Sequence, residues 1–167
     1  MFDRKPRTVL TAACLAALAG PPLSLTAADA SPGHGQTAFG EPGEASAVDR
    51  TVRLAVDGMS YGADRLEVKA GETVRFVIEN GSAIVHDFTI GDAATQAAHR
   101  REMTAMMGEP DGGMAHDDAN AVLLEPGATG EIIWTFSEPG SFEFACNVPG
   151  HYQAGMKGTL AVVRDGS

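Results

Sequence analysis

The sequence predicts an all-β protein, a sandwich or barrel of about seven or eight short strands with one helical insertion. Three observations predict it. Apolar and polar residues alternate with a period of two over many short runs. Turn pairs such as Asn-Gly, Asp-Gly and Pro-Gly separate those runs. The alternation breaks once at length, in a stretch rich in Ala, Gln, Arg, Glu and Met, all good helix formers.

In chain order, residues 48–56 place Val52, Leu54 and Val56 on one side and Thr51, Arg53 and Ala55 on the other, as in a half-buried strand. Asp57-Gly58 turns the chain. Residues 65–69 form a short strand with Leu66 and Val68 inward, followed by a turn at Ala70-Gly71-Glu72. Residues 73–79 point Val74, Phe76 and Ile78 one way. After Asn80-Gly81, residues 83–90 carry His86, Phe88 and Ile90 with a single parity. Asp92 then stands as an N-cap to a helix over residues 93–107. A polar loop follows, so the insertion spans 92–120. Strands resume at 121–124, at 130–136 (Ile132, Trp134, Phe136 on one face), at 141–146 (Phe142, Phe144, Cys146) and at 158–163.

The first 30 residues read as a secretory signal. Arg4, Lys5 and Arg7 precede an apolar run, Gly20-Pro21-Pro22 breaks it, and Ala28-Asp29-Ala30 offers small residues for cleavage. The apolar run is shorter than the roughly 20 residues a membrane-spanning helix needs, so no membrane insertion is expected after cleavage, and the periplasm is the expected location. Cys14 lacks the preceding apolar run of a lipidation site. Residues 31–47, dominated by Gly, Pro and small side chains, read as a flexible linker, and the folded domain as 48–167. Of 12 basic and 22 acidic residues, cleavage removes three and two, leaving a formal charge of −11. Such a charge excludes nucleic acid and anionic lipid as natural partners. It suits a protein partner with a basic docking patch.

Cleavage also leaves Cys146 as the lone cysteine. An unpaired thiol in an exported protein is a reactive group, an intermolecular link or a metal ligand. Its surroundings choose between these. Cys146, His151 and Met156 lie on one short loop with four residues between each pair. Thiolate, imidazole and a weak thioether suit copper cycling between Cu(I) and Cu(II), and a trigonal site needs a second histidine. His86, on a distant strand, is the candidate. Singly, each residue has a bland reading: a buried inert cysteine, a solvated loop histidine, a gap-filling methionine, a core histidine bonded to a carbonyl. Together, after a Phe-x-Phe-x-Cys strand, they read as metal donors. Zinc competes, but its sites rarely use methionine. A cysteine hydrolase lacks the expected strand–helix setting for its nucleophile. No enzyme is expected.

The segments Asn80-Gly81-Ser82-Ala83-Ile84-Val85-His86-Asp87-Phe88, Phe144-Ala145-Cys146-Asn147-Val148-Pro149-Gly150-His151 and Gly155-Met156 resemble the cupredoxins, the blue type 1 copper proteins. The Cys-x4-His-x4-Met spacing is most similar to the rusticyanin-type loop. Gly40-Glu41-Pro42-Gly43, Val48-Asp49-Arg50-Thr51 and the Met-rich insertion resemble a periplasmic cupredoxin group associated with bacterial copper tolerance. The resemblance covers about residues 40–163. It implies a Greek-key β-sandwich and one type 1 copper, with His86, Cys146 and His151 as equatorial ligands and Met156 as the axial one. Asp87 departs from the pattern, since many relatives carry Asn or Ser after the first histidine.

A second donor group, suited to Cu(I), is formed by His99, Met103 and Met107 at helical spacing together with Met114 and His116 in the loop. The plainer reading has Met103 and Met107 packing the helix onto the sandwich. Two functions follow. One is a one-electron carrier working with a redox protein such as a cytochrome or a copper oxidase. The other is a copper-tolerance protein that binds, stores or hands over copper.

Overall fold

The computed structural model describes residues 37–108, 118–164 and 166. The signal segment 1–30, the first part of the linker, and Met114 and His116 lie outside the described residues. Two sheets face each other. One has the strand order β1-β7-β4-β2, from Gly40–Pro42, Thr129–Phe136, Thr73–Asn80 and Arg50–Val56. The other has the order β3-β9-β8-β5-β6, from Arg65–Lys69, Lys157–Val163, Gly140–Ala145, His86–Gly91 and Ala121–Leu124. The single α-helix among the described residues, α1, spans Ala93–Gly108 between β5 and β6.

The expected β-sandwich with one helical insertion is therefore the observed fold, with two refinements. β2 pairs with β4, and β3 with β9, in parallel, so the sheets are mixed. The ninth strand is β1, which lies in the stretch read as linker. There the expectation fails: Gly40–Pro42 pairs with β7, and Phe39 is buried with its ring stacked 5.2 Å from that of Trp134. A three-residue strand is too short to show a period, so composition pointed to a loop.

The inward-facing residues of both sheets form one core. Val74, Phe76, Ile78, Ile132, Trp134 and Phe136 come from the first sheet, and Val68, Phe88, Ile90, Phe144, Leu160 and Val162 from the second. The rings of Tyr61, Phe88 and Phe144 meet within 5.3–5.9 Å at the centre of this core, beneath the end where β5 begins and β8 ends.

β5 is unusual in that all six of its residues are buried. His86, Phe88 and Ile90 are covered by the opposing sheet side, as their parity predicts. Asp87 and Thr89 are covered by α1, which packs on β5 and β8. The helix starts at Asp92, whose Oδ1 accepts from the Thr95 N–H at 2.7 Å. It buries Gln96, His99 and Met103, a face that is mostly polar. Replacing Phe39 with Ala is expected to cost about 3–5 kcal/mol, read as a lower midpoint in thermal or urea unfolding. An unchanged midpoint would mean that the segment before residue 48 is an attached tail and not part of the sandwich.

Candidate metal centre

The loop after β8 turns back on itself. Gly150 and Gly155 adopt φ of 91° and 96°, a region that costs L-residues with a side chain but not glycine. Three backbone bonds close the loop: His151 N–H to Val148 O, Met156 N–H to His151 O, and Cys146 N–H to Met156 O, each 3.0 Å. They bring His151 over Cys146 and hold the buried Met156 beside them. β5 starts opposite, so His86 approaches the same sulfur from the sheet. The Cys146 Sγ lies 3.2 Å from His151 Nδ1 and 3.8 Å from His86 Nδ1. The two imidazole rings are 5.0 Å apart.

These distances fit one metal ion. Sulfur and nitrogen donors bonded at roughly 2.0–2.3 Å and set at about 120° would stand about 3.8 Å from each other. The protonation states also fit. Burial pushes the Cys146 thiol up to about 12, so without a cation it stays protonated. Burial, and for His86 also the neighbouring His151, lowers both histidines, which leaves neutral imidazoles able to donate lone pairs.

The tautomer of His86 follows from its surroundings. The side chain of Asn80, buried at the end of β4, donates through Nδ2 to the carbonyls of Ile84, Leu124 and Glu125. Its Oδ1 must then accept from Ser82 N–H and Oγ–H. The hydroxyl has a single proton, and the other oxygen within its reach, the Ile84 carbonyl at 3.1 Å, can likewise only accept it. With its proton so committed, Ser82 Oγ accepts from His86 Nε2–H at 2.9 Å. Nδ1 is thereby left to face the sulfur with its lone pair.

A buried polar network supports the other side. The Asp87 N–H points at Cys146 Sγ, 3.3 Å away. Asp87 Oδ2 accepts from Thr89 Oγ1 (2.8 Å), Asn147 N (3.1 Å) and Asn147 Nδ2 (3.3 Å). Asn147 Nδ2 also donates to Gln96 Oε1 on α1, and Gln96 Nε2 donates to the Thr89 carbonyl. Tyr61 donates its hydroxyl proton to the Asp87 carbonyl, tying the aromatic core to the same residue.

Residues 48–163 match the profile of the family described as copper binding proteins, plastocyanin/azurin family. The chain belongs to this family. Copper-resistant cuproprotein CopI of Pseudomonas aeruginosa is 44% identical, over 81% of this chain and 87% of that protein. The protein of the same name from Rubrivivax gelatinosus is 48% identical, over 75% of this chain and 74% of its own. Among solved structures, auracyanin B matches with a TM-score of 0.57 at 25% identity, over 75% of this chain and 95% of its own. A dithionite-reduced auracyanin from Roseiflexus castenholzii matches at 0.55 and 29%, over 70% and 98%. This cupredoxin binds type 1 copper, and His86, Cys146 and His151 bring their donor atoms together, with the buried Met156 bonded through its backbone to Cys146 and His151.

The alternative donor group of His99, Met103 and Met107 is not assembled among the described residues, and the plainer reading holds for Met103 but not for the exposed Met107. Met103 points into the core and Met107 is 51% exposed, so the two methionines do not share a site. His99 is buried against carboxylates instead, and Met114 and His116 lie outside the described residues. Sequence reasoning noted Asp87 but missed Tyr61, Asn80, Ser82, Thr89, Gln96 and Asn147. Asn80 was legible only as part of the Asn80-Gly81 turn, and Ser82 only as the residue after it. Thr89 and Gln96 carried no signal, because their roles depend on α1 covering β5.

Thr89→Val keeps the shape but removes one donor from a buried carboxylate. The expected loss is about 1.5–3 kcal/mol, measured by urea unfolding of the metal-free protein. A neutral result would mean that Asp87 is held by Asn147 alone.

Proposed function

We propose that the chain is exported to the periplasm, where His86, Cys146, His151 and Met156 would hold one copper, and that the protein carries single electrons without catalysing a reaction of its own. The observation that carries this reading is the convergence of two neutral imidazole nitrogens on one buried thiol. When bound, copper supplies a one-electron couple between Cu(I) and Cu(II). The protein's part is to keep its donors still. His86 is held by a strand and by Ser82, and Cys146, His151 and Met156 by a loop closed on itself, so the donor positions suit both oxidation states. His151 is only half-buried and offers a ring edge to a partner. The formal charge of −10 for the whole chain favours a redox protein with a basic docking patch, such as a cytochrome or copper oxidase, and on-rates that fall with salt.

A second reading is favoured by the names of its relatives: a copper-tolerance protein that binds, stores or hands over copper with no obligatory redox partner. Copper stoichiometry separates the two. One tightly held copper with rapid exchange of electrons with a periplasmic cytochrome supports a carrier. Two or more coppers, with weak Cu(I) sites, support handling.

The absorption and EPR spectra of the copper-loaded mature protein test the centre directly. Cys146→Ser is expected to abolish the intense thiolate-to-copper band, and a variant that stayed coloured would sink the assignment. Met156→Leu should keep its copper and raise its reduction potential; an unchanged potential would remove Met156 from the ligand set. The double variant Met114→Ala, His116→Ala should keep its colour.

A further inference from the structure

His99 sits on the buried face of α1, 4% exposed, with a carboxylate at each end of its ring. Nε2 faces Asp87 Oδ1 at 3.4 Å. Nδ1 faces Asp118 Oδ2 at 3.3 Å and Glu102 Oε2 at 3.7 Å. Asp87 is fully buried, and its Oδ1 accepts no hydrogen bond of normal geometry, although Oδ2 of the same group accepts three. In either neutral tautomer one ring nitrogen turns its lone pair towards a carboxylate. If Nε2–H is turned to Asp87, the lone pair of Nδ1 meets two carboxylates, which are also electron-rich. The arrangement needs a cation at Nδ1, either a proton or a metal ion.

We propose that His99 Nδ1, Glu102 and Asp118 form a second metal site, which takes a divalent ion of the Zn²⁺ or Cu²⁺ class and not Cu(I). Donor geometry supports a metal. A tetrahedral ion with ligands at roughly 2.0–2.1 Å holds them about 3.3–3.4 Å apart, close to the spacing of Nδ1 from both carboxylates. All three donor atoms lie within 4.8 Å of one another. One imidazole with two carboxylates is a borderline-to-hard set, whereas Cu(I) prefers thiolate and thioether. Asp87 behind Nε2 supplies the carboxylate–histidine–metal relay that orients metal-bound imidazoles. Burial alone would lower the histidine, but Asp87, followed by Asp118 and Glu102, raises it, which is the mark of a setting that favours positive charge. Entry is open, since the Glu102 and Asp118 side chains are 59% and 31% exposed. The Glu102 carboxylate reaches the site because it lies one helical turn on from His99, and Asp118 because it leads into β6.

The site goes beyond the copper centre but touches its support. Asp87, which steadies His99, also holds the Cys146 sulfur and the Asn147 side chain.

The test is a calorimetric titration of Zn²⁺ into the copper-loaded mature protein, with the visible band followed to confirm that the type 1 centre keeps its copper. One equivalent is expected to bind at this site. Glu102→Gln and Asp118→Asn, both changes on the solvent side that leave the fold intact, should each weaken that binding at least tenfold, with the colour unchanged. His99→Gln should abolish it. No Zn²⁺ uptake by the wild type, or uptake that both carboxylate variants retain at full strength, would overturn the proposal. The first outcome would mean that a proton is the only cation there, the second that zinc binds elsewhere on the acidic surface. Loss of the visible band in every variant would instead count against the copper assignment and leave the zinc isotherm to be read by itself.

Discussion

A thiol buried beside two imidazoles stays a neutral S–H unless a cation joins them, and only a cation can turn it into a thiolate ligand. The Cys146 sulfur has no access to water, burial pushes its thiol up to about 12, and a ring nitrogen of each histidine faces it, that of His86 with its lone pair. Without a metal, the site has donors in excess of partners. With a metal, the same geometry becomes a closed ligand set. Much of the surrounding architecture can be understood as keeping that sulfur dry and those nitrogens aimed. The aromatic cluster of Tyr61, Phe88 and Phe144 seals the site from below. The self-closing loop fixes three donors, and β5 fixes the fourth.

The insertion gives this cupredoxin a second layer of control. In a two-sheet sandwich, the outer face of a strand such as β5 would be solvated. Here α1 covers it, and Asp87 and Thr89 become interior. Burying a carboxylate is costly unless donors surround it. Thr89 and Asn147 supply three, and His99 sits at the remaining oxygen. The helix therefore docks by satisfying polar groups at least as much as by burying apolar area, with Met103 as the main apolar anchor. Gln96 makes the link explicit, since it joins the strand carbonyl of Thr89 to Asn147 in the ligand loop. Any change in α1 is thereby felt next to the copper ligands.

Legibility in the sequence followed how local each feature is. Eight of the nine strands were readable because alternation is a property of neighbours in the chain. β1 was not, because Gly40-Glu41-Pro42 is too short to alternate and owes its pairing to β7, more than ninety residues away. The parallel pairings of β2 with β4 and of β3 with β9 were likewise unreadable, since periodicity fixes which side a residue faces but not which strand lies beside it. The helix was legible in its extent and its cap, but its buried face was not. An expected methionine stripe divides between core and solvent, while Gln96 and His99 turn inward because Thr89 and Asp87 wait there.

By itself, the sequence determined the donor types, the spacing of Cys146, His151 and Met156, and the strand that buries the thiol. The strand and the loop lie together within residues 141–156, where chain geometry leaves little freedom. The tertiary structure alone decided which nitrogen of His86 faces the sulfur, how Asp87 meets Asn147, and which carboxylates surround His99. Those contacts join residues 60, 60 and between 3 and 19 positions apart, across a sheet, a loop and an insertion. The physical reason is that a side chain's partner is chosen by packing in three dimensions. Burial then turns each such choice into a requirement, because a polar group without water must find its match inside the protein.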